Sequence, residues 1–248
     1  MIQVVLPGFL RPAVSPALVR IGKDYDGGYL VDHRDIDKSD SLIGLGVNDD
    51  WSFEKNFAQH NDVRVLVFDG SVGAWHFAKN AVKDLLRAKR RSTRLLIDYL
   101  SFFRGRRRHV VKFVSNGGPA THVTMTDVFE TLAKEGFSKP YLKIDIEGSE
   151  YSIFEDLIEH AGMTSGLVIE LHECDKNLKL IRDFVSRYPL ALVHVHANNF
   201  GTISDTNIPT VLELTFSSSA PSGTALKLPH SFDMPNNKRA DEVAITFA

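Results

Sequence analysis

Residues 141–150 read Tyr-Leu-Lys-Ile-Asp-Ile-Glu-Gly-Ser-Glu, an apolar run in which charge recurs at every second position. Successive side chains of an extended strand point to opposite faces, so Lys143, Asp145 and Glu147 share one side. Three charges on one side make a poor core. A strand over 141–146 that leads into a helix over about 149–160 carries Asp145 and Glu147 at its carboxyl end. That is where open α/β sheets bind ligands, beside the point at which strand order reverses. A purely structural reading stands beside this one: Lys143 and Asp145 form an ion pair, and Glu147 caps the following helix.

Working outward, short β-rich runs alternate with helical stretches. Strands are expected over 41–46, 63–68, 109–114, 167–172, 190–196 and 211–216, with an edge strand over 243–247. Helices are expected over 51–60, much of 74–103, 127–136 (with Thr126 as cap) and 177–188. Strand–helix alternation predicts right-handed crossovers and a mostly parallel sheet with helices on both faces. The two late strands, joined without a helix, predict an antiparallel addition at one edge. Residues 217–239, rich in Ser, Pro and Asn, read as a loop.

The chain has 248 residues, 43% hydrophobic and 24% charged, a balance that excludes a disordered or fibrous protein. Its single cysteine, Cys174, excludes an intramolecular disulfide and a multi-cysteine zinc site. No apolar run reaches the roughly 18 residues of a membrane span. The opening MIQVVLPGFLRP lacks a basic region and is broken by Pro7, so no secretory signal is expected. The cytoplasm is the expected location.

The net charge of −2 conceals an asymmetry. Residues 79–112 hold 12 Lys or Arg against two acids, Asp84 and Asp98. The segment is expected to be a helical excursion, partly exposed. It could be a solvated face, a site for an anionic acceptor, or an amphipathic contact with an anionic membrane. Nucleic acid is not expected, because aromatic stacking platforms are not interleaved with the charge.

The strand over 41–46 ends in Gly44-Leu45-Gly46-Val47-Asn48-Asp49-Asp50. Glycines there let backbone approach a ligand, and Asn48 tolerates a left-handed conformation. Asp69, at the end of the next strand, can accept both hydroxyls of a ribose. His172 ends the fifth strand, and His194, His196, Asn198 and Asn199 end the sixth. Strand alternation places His194 and His196 on one face.

LKIDIEGSEYSIFEDL, the earlier GLGVNDDWSFEKNFA and VFDGS, and the later ELHECD, VHVHANNFG and VLELTF together resemble the FkbM-type family of S-adenosylmethionine-dependent methyltransferases. KDYDGGYLV, ahead of the first strand, is similar to a segment of related members. Leu42 stands where many methyltransferases place an acid, and Asn48 where they place a third glycine. The length of the chain fits one domain over 1–248. The resemblance, which runs from about Asp24 to Phe216, implies a Rossmann-like seven-stranded methyltransferase sheet with S-adenosylmethionine as cofactor. It implies cofactor contacts at Gly44, Gly46, Asn48 and Asp69, and acceptor contacts at Asp26, His196 and Asn198. His172, Asp145 and Glu147 are the expected catalytic residues, His172 acting as base because an ordinary imidazole is neutral at working pH. No bound metal is assigned; were one required, Asp145, Glu147 and His196 would be its ligands. The expected reaction is methylation of a hydroxyl on a glycan or small metabolite. An NAD(P)-binding oxidoreductase, or a non-catalytic binding module with an anionic partner, are the alternatives.

Overall fold

A computed structural model describes residues 1–86, 90–222 and 227–248. Seven strands form the main sheet: β1 (Ser41–Leu45), β2 (Arg64–Phe68), β3 (Arg107–Val110), β4 (Pro140–Ile144), β5 (Gly166–His172), β6 (Ala191–Ala197) and β7 (Val211–Ser217). Their order is β6-β7-β5-β4-β1-β2-β3. Strand β7 runs antiparallel to both neighbours, and every other pair is parallel. This is a Rossmann-like seven-stranded sheet, mostly parallel with one antiparallel strand, as expected from the sequence. It differs from the all-parallel dinucleotide-binding order by the strand inserted near one edge.

Among the described residues the six longer helices on the faces are α1 (Ser52–His60), α2 (Ala74–Leu86), α3 (Arg91–Phe102), α4 (Met125–Lys134), α5 (Phe154–His160) and α6 (Cys174–Arg187). The two-residue period sorts the core. Ile43, Leu45, Leu142, Ile144 and Ile169 pack with Phe129, Leu157 and Phe184 of α4–α6. Leu42, Val65, Val67 and Tyr141 point the other way, toward Phe53, Phe57, Phe77 and Tyr99 of α1–α3. From β4 to β6 this second face turns polar. Lys143, Glu170, Glu213, Thr215, His194 and His196 are all buried there.

Buried polar groups need partners, and two irregular segments supply them. Strands Leu18–Gly22 and Gly28–Asp32 form a hairpin. From it, the Tyr29 hydroxyl donates to Glu170 (3.0 Å) and the Leu30 carbonyl accepts from Thr215 (2.6 Å). Residues 230–242 bring Asp233 to His194 (2.9 Å), Asn236 to Glu213 (2.7 Å) and Glu242 to His196 (3.2 Å).

Three expectations are corrected. The third strand, expected at 109–114, is β3, over Arg107–Val110, at the edge of the sheet; Phe113–Val114 leaves the sheet to pair with His122–Val123. An edge strand has one neighbour, so β3 accommodates arginines that argue against a buried strand. Val243–Phe247 is not an edge of the main sheet but pairs in parallel with Ile2–Leu6. Thr124, not Thr126, caps α4, in a reciprocal box with Asp127. Of the basic segment 79–112, positions 87–89 lie outside the described residues; the others form the end of α2, helix α3 and β3. In the loop 217–239, positions 223–226 lie outside them too. Among the described residues no helix is long and apolar enough to cross a membrane.

Candidate active site

A cleft of about 880 Å³ opens at the carboxyl ends of β1, β2, β4 and β5. Its floor is where the β1 and β4 loops meet. Gly46 has φ +75, and a methyl group there would overlap the Asp145 carbonyl. Lys143, buried on β4, reaches under this junction and donates to the Gly46 carbonyl (2.8 Å), with Asp145 3.5 Å away. Burial opposes its charge, but Asp145, Glu54 and Glu170 raise its pKa and keep it an ammonium. Gly44 does not face the cleft. It makes room for the buried Glu54, whose carboxyl would meet a Cβ at 2.8 Å. Burial pushes Glu54 up to about 7, against the pull of Lys143. Both its oxygens lack a hydrogen-bond partner.

Asp69 lines the cleft, but its carboxylate is already engaged. One oxygen accepts from the backbone N–H of Val47 (2.9 Å) and Asn48 (2.8 Å). The other accepts from the N–H (2.7 Å) and hydroxyl (2.5 Å) of Ser71. A carboxylate has about four acceptor sites, and here all four are used. Asp69 therefore fixes the β1 loop, including Asn48 at φ 42. Burial opposes its ionisation, yet these donors hold its pKa below the ordinary carboxylate value.

Across the cleft stand Asp145, Glu147 and His172. Glu147 sits in the left-handed region (φ 55), its side chain at the rim with its carboxylate 3.5 Å from His172 Nε2. His172 donates through Nδ1 to Glu150 (2.9 Å), a fully buried carboxylate that also accepts from the N–H groups of Ile146 and Gly148. Glu170 lies 3.6 Å from His172 Nε2. Burial disfavours the imidazolium, but the Glu150 bond and the charges of Glu150, Glu170 and Asp145 outweigh it and raise His172 to about 9. The expectation of a resting neutral imidazole is thus corrected: at pH 7 His172 is a cation. Ligand atoms of Asp145, Glu147 and His172 lie within 4.8 Å of one another, a spacing a divalent ion could bridge.

This arrangement gives a direct test. Glu150→Gln keeps an acceptor for Ile146 and Gly148 but removes the charge behind the ring. The His172 pKa, followed by ring-proton NMR, is expected to fall from about 9 toward the ordinary value near 6.5. A raised histidine pKa contributes stability that is complete below the unfolded value and lost as pH rises through the folded one. The variant should therefore lose stability at pH 6 and little at pH 10. An unchanged His172 titration would remove Glu150 as the cause.

Asp26 and Asn198 also line the cleft. Burial raises the Asp26 carboxyl, with the charges of Glu213 and Asp145 adding to it. Asn198 donates to Glu170 (3.1 Å). His196 is not at the cleft wall. It is 3% exposed, held between Glu213 (3.0 Å) and Glu242 (3.2 Å), and those acids raise its pKa well above normal against the effect of burial. The sequence reading passed over Tyr29, Glu150 and Glu170. Their signal was present for Glu170, a carboxylate inside the apolar run 166–172. Glu170 lies directly across from Glu213 of β7. Burial and the charges of Asp145 and Glu213 hold the Glu170 carboxyl well above its usual range.

No family model matches this chain, and no curated protein matches its sequence. Solved structures do resemble it. Fibrillarin in complex with Nop5p is 8% identical at a TM-score of 0.39, each chain covered to 72%. The methyltransferase domain of bacterial CtHen1-CN is 12% identical at 0.37, covering 73% of this chain and 91% of its own. Precorrin-6y C5,15-methyltransferase from Geobacter metallireducens is 9% identical at 0.36, covering 75% and 85%. At this distance the likeness concerns the arrangement of strands and helices and says nothing of chemistry.

Proposed function

We propose that this protein is an S-adenosylmethionine-dependent methyltransferase of the FkbM type, acting on a hydroxyl of a glycan or small metabolite. One observation carries the reading. A single cleft brings together the glycine turn after β1, a carboxylate at the end of β2, and an acid–histidine cluster at the ends of β4 and β5. The residues present fit the cofactor. The β1 loop crosses the floor where only a glycine allows contact with the β4 loop. Asp69 holds that loop next to the position a ribose takes in nucleotide-binding sheets. The cleft volume is that of an ordinary ligand site. The antiparallel β7 argues against the oxidoreductase reading.

Bound S-adenosylmethionine supplies a methyl group already activated on sulfonium. The chain must therefore align an acceptor oxygen and accept its proton. Asp145 and Glu147, which line the cleft, would supply negative charge toward the cofactor's sulfonium. Asp26 and Asn198 are the acceptor-facing groups in this reading. His172 Nε2, oriented through Nδ1 by Glu150, takes the acceptor proton. Because its pKa is about 9 in the free protein, only a minor neutral fraction is present at pH 7. A cation brought near Nε2 lowers that pKa and enlarges the competent fraction.

The experiment has two readouts. Calorimetry with S-adenosylmethionine, S-adenosylhomocysteine and NAD should show binding of the first two only. Methyl transfer by His172→Ala, Asp145→Asn and Glu147→Gln should fall by about 10²–10⁴-fold for the histidine and less for the carboxylates. The kcat/KM profile should rise with pH toward a plateau above about 9, since the neutral ring is the active form. Binding of S-adenosylhomocysteine without turnover in any acceptor class would favour the non-catalytic binding module.

A further inference from the structure

The helical pair α2 and α3 plays no part in the chemistry proposed above, yet it carries an unusual surface. Trp75, Val82 and Leu85 of α2 are 80%, 60% and 72% exposed, and Ile97 and Leu100 of α3 are 62% and 55% exposed. On α2, Trp75, Lys79 and Val82 follow the i, i+4, i+7 spacing of one helix face, opposite the buried Phe77. On α3, Arg94, Ile97 and Leu100 fall on one side, with Arg90 just before it and Arg104 just beyond. Tyr99 and Phe102 form the opposite, buried side.

The charges are sorted as well. Both acids of the segment are engaged. Asp84 accepts from the N–H and hydroxyl of Ser92 (3.2 and 2.7 Å), tying α2 to α3. Asp98 pairs with Lys55 of α1. Arg106 and Arg107 face Asp62, and Arg108 faces Glu135, so the cluster near β3 is largely neutralised. Lys79, Lys83, Arg90, Arg94 and Arg104 are exposed and form no ion pair among the described residues. What remains is exposed apolar side chains on both helices bordered by an excess of Lys and Arg, with Asp49, Asp50 and Asp98 sharing a groove with Arg90 and Arg94.

We propose that this α2–α3 face docks on an anionic lipid surface, its apolar side chains entering the headgroup boundary and its Lys and Arg side chains meeting acidic headgroups. Isolated exposed apolar residues need no explanation, but several on neighbouring helices bordered by an excess of cations are the composition of an interfacial surface. A second copy of this chain is disfavoured by the charge. A two-fold interface brings a surface against itself, so it would set cations against cations. The proposal does not depend on the methyltransferase reading. Its connection with the cleft is that His76, early in α2, is one of the lining residues.

The two tryptophans of the chain make the test simple, because Trp51 is 2% exposed and Trp75 80%. The full chain is mixed with phosphatidylcholine vesicles, with and without about one-third phosphatidylglycerol, at low and high salt. Binding should be at least tenfold tighter to the anionic vesicles and weaken on adding salt. Tryptophan emission should shift to the blue and be quenched by brominated lipid. Both changes should vanish in Trp75→Phe, which leaves Trp51 as an internal control. Leu85→Ser with Ile97→Ser should cut partition at least tenfold, as should Arg90→Glu with Arg94→Glu. All four positions are exposed, and circular dichroism confirms that the variants fold. No binding to anionic vesicles overturns the proposal. So does binding without a Trp75 shift, which would be adsorption by charge alone. So does a lipid-free dimer, or a complex with an acidic protein, that the Leu85/Ile97 variant abolishes while leaving vesicle binding intact.

Discussion

Gly46→Ala is expected to lose both stability and cofactor binding, by more than any other single-methyl addition in the chain. Its φ of +75 costs an L-residue about 1–2 kcal/mol before any contact is considered. The added carbon would also overlap the Asp145 carbonyl, a backbone atom that no rotamer change can move. Relief requires the β1 and β4 loops to separate. That breaks the Lys143 hydrogen bond to the Gly46 carbonyl and leaves a buried ammonium short of an acceptor. The combined cost is about 3–5 kcal/mol, with affinity for S-adenosylhomocysteine reduced at least a hundredfold. Gly148→Ala is the control. Its φ is +93, but nothing lies within 4 Å of the added carbon, so backbone strain alone should cost about 1–2 kcal/mol. Urea unfolding and calorimetry on the pair measure the difference. If both variants behave alike, the close approach of the two loops is not what Gly46 provides.

Asp69→Ala should be nearly as damaging, for a different reason. It strands the N–H groups of Val47, Asn48 and Ser71 together with the Ser71 hydroxyl. Leaving partly buried donors unsatisfied costs about 1–3 kcal/mol each where water cannot reach them, so a total of about 2–4 kcal/mol is expected. The β1 loop then loses its fixed shape, and affinity for S-adenosylhomocysteine should fall at least tenfold to a hundredfold. The depressed pKa adds a signature. Its stabilising contribution is present above the ordinary carboxylate pKa near 3.9 and is lost as pH falls through the lower folded value. Wild type and Asp69→Ala should therefore converge in stability under strongly acidic conditions. A folded variant that binds S-adenosylhomocysteine as tightly as wild type would end the assignment.

How far the sequence could be read depended on where each element sits. The strands β1, β2 and β4–β7 are buried runs bounded by turn residues, and their expected limits lie within a residue or two of those found. Strand β3 was displaced because the cue used was apolarity. At an edge, backbone pairing with β2 suffices, and the arginines find acids outside the sheet. The hairpin over 18–32 and the strand Ile2–Leu6 were not assigned. The partner of Ile2–Leu6 lies at 243–247, far along the chain, whereas the hairpin pairs locally but packs against residues distant in sequence, Glu170 and Thr215.

The site was read in part. Gly46, Asn48, Asp69, Asp145, Glu147 and His172 do line one cleft, because period-two alternation and the carboxyl-end rule are local and general. His196 obeys the same alternation but is covered by Glu242, from far along the chain. The His172 pKa was misjudged because it is set by Glu150, four residues beyond Ile146, and by Glu170 on the same strand. Neither carboxylate is informative until its burial is known.

The parallel pairing of Ile2–Leu6 with Val243–Phe247 bears on how the protein is made. Residues 2–6 are made well before residues 243–247, so this contact has a large sequence separation. Val4 and Leu6 end fully buried in the same core cluster as α4–α6. Until residues 243–247 are made they stand as uncovered apolar strand, open to mispairing. Sheet and helices can assemble around β1–β7 while translation continues, but this corner of the core waits for residue 247. The contact of greatest sequence separation described here is thus a small clasp, away from the cleft, that closes only once residue 247 has been made.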